Sequence, residues 1–327
     1  MTAVRFQRRQ LLHLAGLTLA AGFSRSAAAQ AYPTRPVRWI VPFPAGGSTD
    51  LIARLLGEWL AQKLGQPVII ENKPGGGTNI AVQAVVNAPA DGYTLLFAVA
   101  TNVINPALFK SLPFDFQRDI APVAGLAELP LVLDVTPALP ASTVPEFIAY
   151  AKANPGKINF ASFGVRTISQ LAIELFKIST GVDVVHVPYQ GGAPMLTDLL
   201  SGRIQAGVDA LPNSLPHIKS GGVRALAVLS AKRTPALPDV PTMGETIAGF
   251  EVTPWTALGV PSGTPAEIIE RLNREINAGL ADPGVRARMA EVGGVPLVYS
   301  PAELRALIAR DAAKWARVVE QAGIKPE

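Results

Sequence analysis

Three short segments bare the backbone where an extended run hands over to a helical one: Pro42–Asp50 (PFPAGGSTD), Asn72–Asn79 (NKPGGGTN) and Pro188–Pro194 (PYQGGAP). Glycine lets the main chain approach a ligand closely and take positive φ. The first amides of a following helix lack intrahelical partners and point outward as donors, and the helix dipole adds positive potential. Together these features bind anions. None of the three is a nucleotide-binding loop. G-x-x-x-x-G-K-[ST] needs a lysine after its second glycine, whereas Gly47 is followed by Ser48 and Gly77 by Thr78, and no G-x-G-x-x-G follows the first strand. Without a phosphate-binding lysine, the anion these turns suit is a carboxylate. A tight strand-to-helix turn would use the same residues, so the weight rests on three of them sharing one cleft edge.

A fourth segment of this kind, Phe160–Phe176 (FASFGVRTISQLAIELF), offers hydroxyls at Ser162, Thr167 and Ser169 and a guanidinium at Arg166. Planar, bidentate guanidinium suits a carboxylate, so an Arg166 facing the cleft implies a second carboxylate on the ligand; otherwise it is a solvated rim residue. Asp50 has two readings, a ligand-facing acid that recruits an amine, or a stabiliser of the first helical turn that fixes Gly46-Gly47. Asp209 either lines the cleft with Asn213 or caps a helix starting at Ser214.

Catalytic readings find little support. The chain has no cysteine and three histidines, His13, His186 and His217. There is no H-E-x-x-H for zinc, and Phe160 stands where a nucleophile elbow needs its first glycine. His186, inside the apolar VDVVHVPY, reads as a core histidine. No catalytic residue, metal site or cofactor is expected.

Elements that would position these residues follow from periodicity. Val37–Pro42 reads as a strand. Leu51, Ile52, Leu55, Leu56, Trp59, Leu60 and Leu64 mark one helix face, closed by Gly65. Strands at 68–71 and 93–99 flank a helix at 79–87. Beyond Leu129, strands at 131–135, 157–162, 182–187, 204–208 and 223–229 alternate with helices at 144–153, 168–180, 193–201 and 214–220. Two long helices, 265–281 and 301–322, close the chain and return to the first lobe. Buried strands joined by helices imply α/β architecture with mostly parallel sheets. The chain divides into two lobes, 31–124 plus 228–327 and 125–227, with Pro-rich crossings at 114–130 and 230–246. Open α/β sheets bind ligands at the carboxyl ends of their strands, here on a shared cleft.

The first thirty residues read as a secretory leader: a basic start, an apolar run from Leu11 to Phe23 and small residues at Ala27-Ala28-Ala29. Arg8-Arg9 before Leu11-Leu12 suggests twin-arginine export. This segment distorts the charge balance. Of 29 Lys+Arg, four (Arg5, Arg8, Arg9, Arg25) fall in the leader, which has no acids, so 25 bases face 25 acids in the remainder. No basic run suits nucleic acid. With 49% hydrophobic residues but only 6% aromatics, the core is aliphatic.

The motifs VPFPAGGSTDLIARLL, ENKPGGGTNIA, ADGYTLLFA, ELFKISTGVDVVHVPYQGGAPMLTDLLSGRIQAGVDA and VRALAVLSAKRTPALPDVPTMGE, in that order, resemble the Bug-type receptors, extracytoplasmic solute-binding components of tripartite tricarboxylate transporters. The resemblance covers nearly all of the chain after the leader. It implies a two-lobe, type II-like Venus-flytrap fold, periplasmic location, a monomer, and membrane transporter subunits as partners. By position it assigns ligand contacts to Phe43, Ala45, Gly46, Gly47, Ser48 and Asp50, to Thr78 and to Asn102. Across the cleft it assigns Gly164, Val165, Arg166, Thr167, Ser169, Tyr189, Gln190, Gly191 and Asp209. One stretch departs from the pattern: S-G-x-G-[ST] followed by His-Leu becomes Phe163-Gly164-Val165-Arg166-Thr167 and Gln170-Leu171. That change favours an anionic far end on the ligand. The expected ligand is a small organic carboxylate, a dicarboxylate or an aromatic acid. A ligand sensor feeding a signalling partner uses the same clamp, and an exported α/β enzyme would need a base near Ser48 or Ser162.

Overall fold

The computed structural model describes residues 32–326 except 292 and 322. The expected leader lies outside the described residues. In chain order the strands are β1 (Val37–Val41), β2 (Val68–Asn72), β3 (Thr94–Val99), β4 (Ile120–Glu128), β5 (Leu131–Val135), β6 (Asn159–Ser162), β7 (Val185–Pro188), β8 (Ala206–Ala210), β9 (Arg224–Val228), β10 (Trp255–Pro261) and β11 (Val295–Pro296). The helices are α1 (Ser48–Leu64), α2 (Asn79–Val86), α3 (Thr101–Leu108), α4 (Phe116–Asp119), α5 (Val144–Ala153), α6 (Ile168–Thr180), α7 (Gly192–Leu200), α8 (Leu211–Lys219), α9 (Ala266–Ala281), α10 (Pro283–Glu291) and α11 (Pro301–Gln321).

Two sheets carry two lobes. One runs β11-β4-β10-β3-β1-β2 and the other β7-β6-β8-β5-β9. Trp39 and Phe97 pack together in the first, with ring centroids 5.9 Å apart. Phe147, Phe160 and Phe176 form a triad in the second, each pair 5.8 Å apart. Around these few aromatics the core is aliphatic, as the composition requires.

The sheets are mixed rather than mostly parallel. β1 pairs in parallel with β2 and β3, and β6 with β7 and β8. β10 is antiparallel to β3 and β4, and β5 to β8 and β9. The reason is topological. β5 and β10 each enter their sheet from the other lobe, so each starts at the cleft and runs away from it. The helix-joined strands run toward the cleft.

The Pro-rich passage at 114–130, expected as a crossing, is largely β4. Pro122 is accommodated because the β4–β10 register shifts between Leu258 and Gly259, where Pro122 lies opposite Gly259. The chain crosses at 129–130 and returns through 229–254. Leu129 N–H bonds across to Pro254 O of the return at 3.1 Å, and the return is tied across its own ends by Val252 N–H to Leu229 O at 2.7 Å. The C-terminal helices α9 and α11 both pack against β4, α9 also against α1 and α11 against α3, so the end of the chain rejoins the first sheet. Trp59 fixes α1 to α9, its indole donating to Glu275 O at 2.8 Å.

Candidate functional site

Two cavities lie where the carboxyl ends of the strands meet. An inner one of about 70 Å³ and an outer one of about 340 Å³ share a partition of Phe43, Pro44, Phe163, Gln190 and Gly191. The partition joins the lobes: the Phe43 and Phe163 rings meet edge to face at 6.0 Å, and a Cβ on Gly191 would touch Pro44 Cδ at 3.6 Å. Near the outer cavity, the Arg166 guanidinium lies 4.6 Å over the Phe109 ring.

Five helices begin on the inner cavity wall. α1 contributes Gly47, Ser48 and Thr49; α3, Ala100 and Thr101; α7, Gly191, Gly192 and Ala193; α6, Ile168; α8, its cap residue Ala210. No side chain caps α1, α3 or α7. First-turn amides of these helices have no intrahelical acceptor, and their dipoles converge. Among the described residues, no charged side chain lines either cavity. The remaining inner wall is largely hydrocarbon. Positive potential therefore comes from backbone, and the hydroxyls of Ser48, Thr49 and Thr101 add adjustable partners.

A supporting layer holds these turns. Asp50 is 2% exposed and its carboxylate is filled by the protein. Oδ2 accepts from Gly46 N–H at 2.9 Å and Arg54 Nε at 2.8 Å, and Oδ1 from Asn72 Nδ2 at 3.1 Å. Burial opposes its charge, but the bonds from Arg54, Gly46 and Asn72 outweigh it and hold the acid below its usual range. Asp50 thus takes the second of its two readings and pins Gly46 at φ +84°. Asn102 does likewise for the second glycine loop, accepting from Val99 N–H at 2.8 Å and donating to Thr78 Oγ1 at 2.7 Å.

In the second lobe, Ser169 Oγ donates to Val208 O at 2.6 Å. Asp209 accepts from Ala210 N–H at 2.8 Å and Asn213 Nδ2 at 3.1 Å, directly behind Gly192. A Cβ on Gly192 would overlap Asn213 and Asp209, which is why the α7 start is glycine. Asp209 is fully buried, and burial pushes its carboxyl up to about 7. Asp134 on β5 is also fully buried, with neither oxygen bonded, and burial drives it well above the carboxylate range.

Ser162 Oγ lies 2.7 Å from His186 Nε2, a contact that resembles an enzyme's. The serine is fully buried and donates its proton to Gly164 O at 3.0 Å, so the imidazole serves as donor to it. Burial lowers the His186 pKa. The pair shapes the 162–164 turn.

The positions assigned from sequence separate accordingly. Phe43, Ala45, Gly47 and Ser48 line the inner cavity; Thr78, Gly164, Val165, Thr167 and Tyr189 line the outer one; Phe43, Gln190 and Gly191 wall both. Gly46, Asp50, Asn102, Arg166, Ser169 and Asp209 line neither. Unassigned wall residues include Thr49, Thr101, Ile168, Ala193 and Trp255. Trp255 had one available signal, as a lone large aromatic in an aromatic-poor chain next to a crossing. Its indole donates to Asp311 Oδ2 on α11 at 2.6 Å.

Residues 52–324 match the family model described as tripartite tricarboxylate transporter family receptor. The chain belongs to this family. It is 39% identical to Protein BugT of Bordetella pertussis over 320 residues, 97% of this chain and 98% of the relative. It superposes on R. palustris Rpa4515 with adipate at TM-score 0.88 and 37% identity, covering 90% of this chain and 100% of the other. For the periplasmic binding protein BugD the values are 0.86, 35%, 90% and 100%. The two sheets and paired crossings are thus the two-lobe fold of periplasmic solute-binding receptors. No helix among the described residues is long and apolar enough to cross a membrane.

Proposed function

We propose that this receptor captures a small organic carboxylate, a dicarboxylate or an aromatic acid, in the inner cavity between its lobes, without chemical turnover. The observation that carries the reading is the convergence of helix starts from both lobes on a cavity with no charged side chain. Such a cavity stabilises one negative charge at fixed geometry and offers a cation no anionic partner. Adipate in the similar Rpa4515 supports the same ligand class. Hydrogen bonds to a charged group contribute about 1.5–3 kcal/mol each. Micromolar affinity needs about 8.2 kcal/mol, so four or five such bonds suffice after ordering costs.

The ligand docks on the first lobe at Gly47–Thr49. The second lobe, residues 131–228, then closes about the paired crossings and brings the Gly191–Ala193 turn over it. Arg166 on Phe109 and Phe163 on Phe43 are contacts of this closed form. The closed receptor, exported by its leader and acting as a monomer, is presented to membrane transporter subunits. A thermal-shift screen tests the capture step. Carboxylates at a few hundred times Kd should raise stability by about 3 kcal/mol, several degrees in Tm; a response confined to sugars or cations would end the proposal.

A further inference from the structure

Resting on that carboxylate reading, we infer that the ligand is a monocarboxylate whose far end is hydrophobic, an alkyl or aromatic acid with one anionic pole. Donors available to a ligand on the inner wall come from the first turns of α1, α3 and α7. The rest of the inner wall is mainly hydrocarbon, including Val99, Leu129, Leu131, Phe163, Ile168 and Trp255.

Past the Phe43–Phe163 partition, the second-lobe turns offer few groups for a second carboxylate, because several of their donors are spent internally. Gly164 N–H donates to Ser162 Oγ at 3.4 Å, and Arg166 N–H to Gln170 Oε1 at 2.6 Å. Tyr189 N–H donates to Ser162 O at 2.9 Å and Gly191 N–H to Phe163 O at 3.1 Å. The Thr167 hydroxyl donates to Gly164 O and the Tyr189 hydroxyl to Asp198. Arg166, whose guanidinium could meet a second carboxylate, lies over Phe109 and lines neither cavity. Gln170 thus plugs an amide turn that could hold a distal anion. On the inner wall and against these second-lobe turns a second carboxylate would lose water and meet hydrocarbon or occupied donors, which is costly, whereas a methyl or ring edge gains from the same surroundings.

Calorimetric titration of the full receptor with chain-matched pairs tests this: hexanoate against adipate, and benzoate against terephthalate. In each pair the monoacid should bind at least tenfold more tightly. A diacid that binds as well as or better than its monoacid overturns the inference and leaves carboxylate capture standing. Failure of all four acids, together with failure of the wider carboxylate screen, removes both.

Discussion

Replacing Gly47 with aspartate should reduce carboxylate affinity at least about 100-fold while leaving the fold as stable as before, or slightly more so. Gly47 caps α1 with φ −83° and ψ 172°, a conformation open to any residue. A Cβ there would meet only Pro44 O, at an ordinary 3.7 Å. An aspartate in this place accepts from the amides of Thr49 or Asp50 and occupies the donors that the ligand needs. Two charge-assisted bonds lost correspond to about 3–6 kcal/mol, two to four decades in Kd. Capping and the dipole together return a few tenths to about 1 kcal/mol to the helix. Calorimetry and thermal melts on one preparation separate the two effects. Retained affinity would mean that the α1 amides are not the anion site.

The second large effect concerns pH. Asp209 stays protonated in the folded chain up to about pH 7, whereas in the unfolded chain it ionises near pH 4. Between those values the native state binds the extra proton, so Asp209's contribution is full below about pH 4 and is lost as pH rises to 7. The size is on the order of 4 kcal/mol. Asp50 and Glu245, held low by their partners, act in the opposite sense at more acid pH, so the informative quantity is a difference. Asp209→Asn can still accept from Ala210 N–H, and it should gain on the parent chain as pH rises from 4 to 7 in urea denaturation. A difference that does not change with pH would show that Asp209 ionises normally.

Much of this architecture was legible in the letters, and the reasons are local. α5 and α6 occur at the expected residues because their ends are written in side chains: Thr143 accepts from Glu146 N–H at the start of α5, and Gly181 takes φ +69° after α6. α3 was not legible, since Pro106 sits inside it and no side chain caps it. β10 was hidden too. Its Gly259 and Pro261 weaken the strand pattern, yet every residue of it is buried. Gly259 is there because a side chain would collide with Ile120 across the pair.

The site divides the same way. Glycine turns announce where backbone is bared, so Gly47, Ser48 and Gly191 were readable. Thr101 and Ile168 reach the cavity only because two sheets and two crossings meet there, a long-range arrangement without local signature. Polar residues near the glycine turns were the harder distinction. Asp50 and Asn102 face the protein rather than the cavity, and only their hydrogen-bond partners reveal it.

The most direct measurement is amide NMR of the receptor during titration with benzoate. Amide resonances of Ser48, Thr49, Gly192 and Ala193 should move downfield together and saturate at one stoichiometric equivalent, with Gly164 and Arg166 amides little changed. If those four stay still while the Arg166 guanidinium responds, the anion is held by a side chain at the rim rather than by the backbone of two facing lobes.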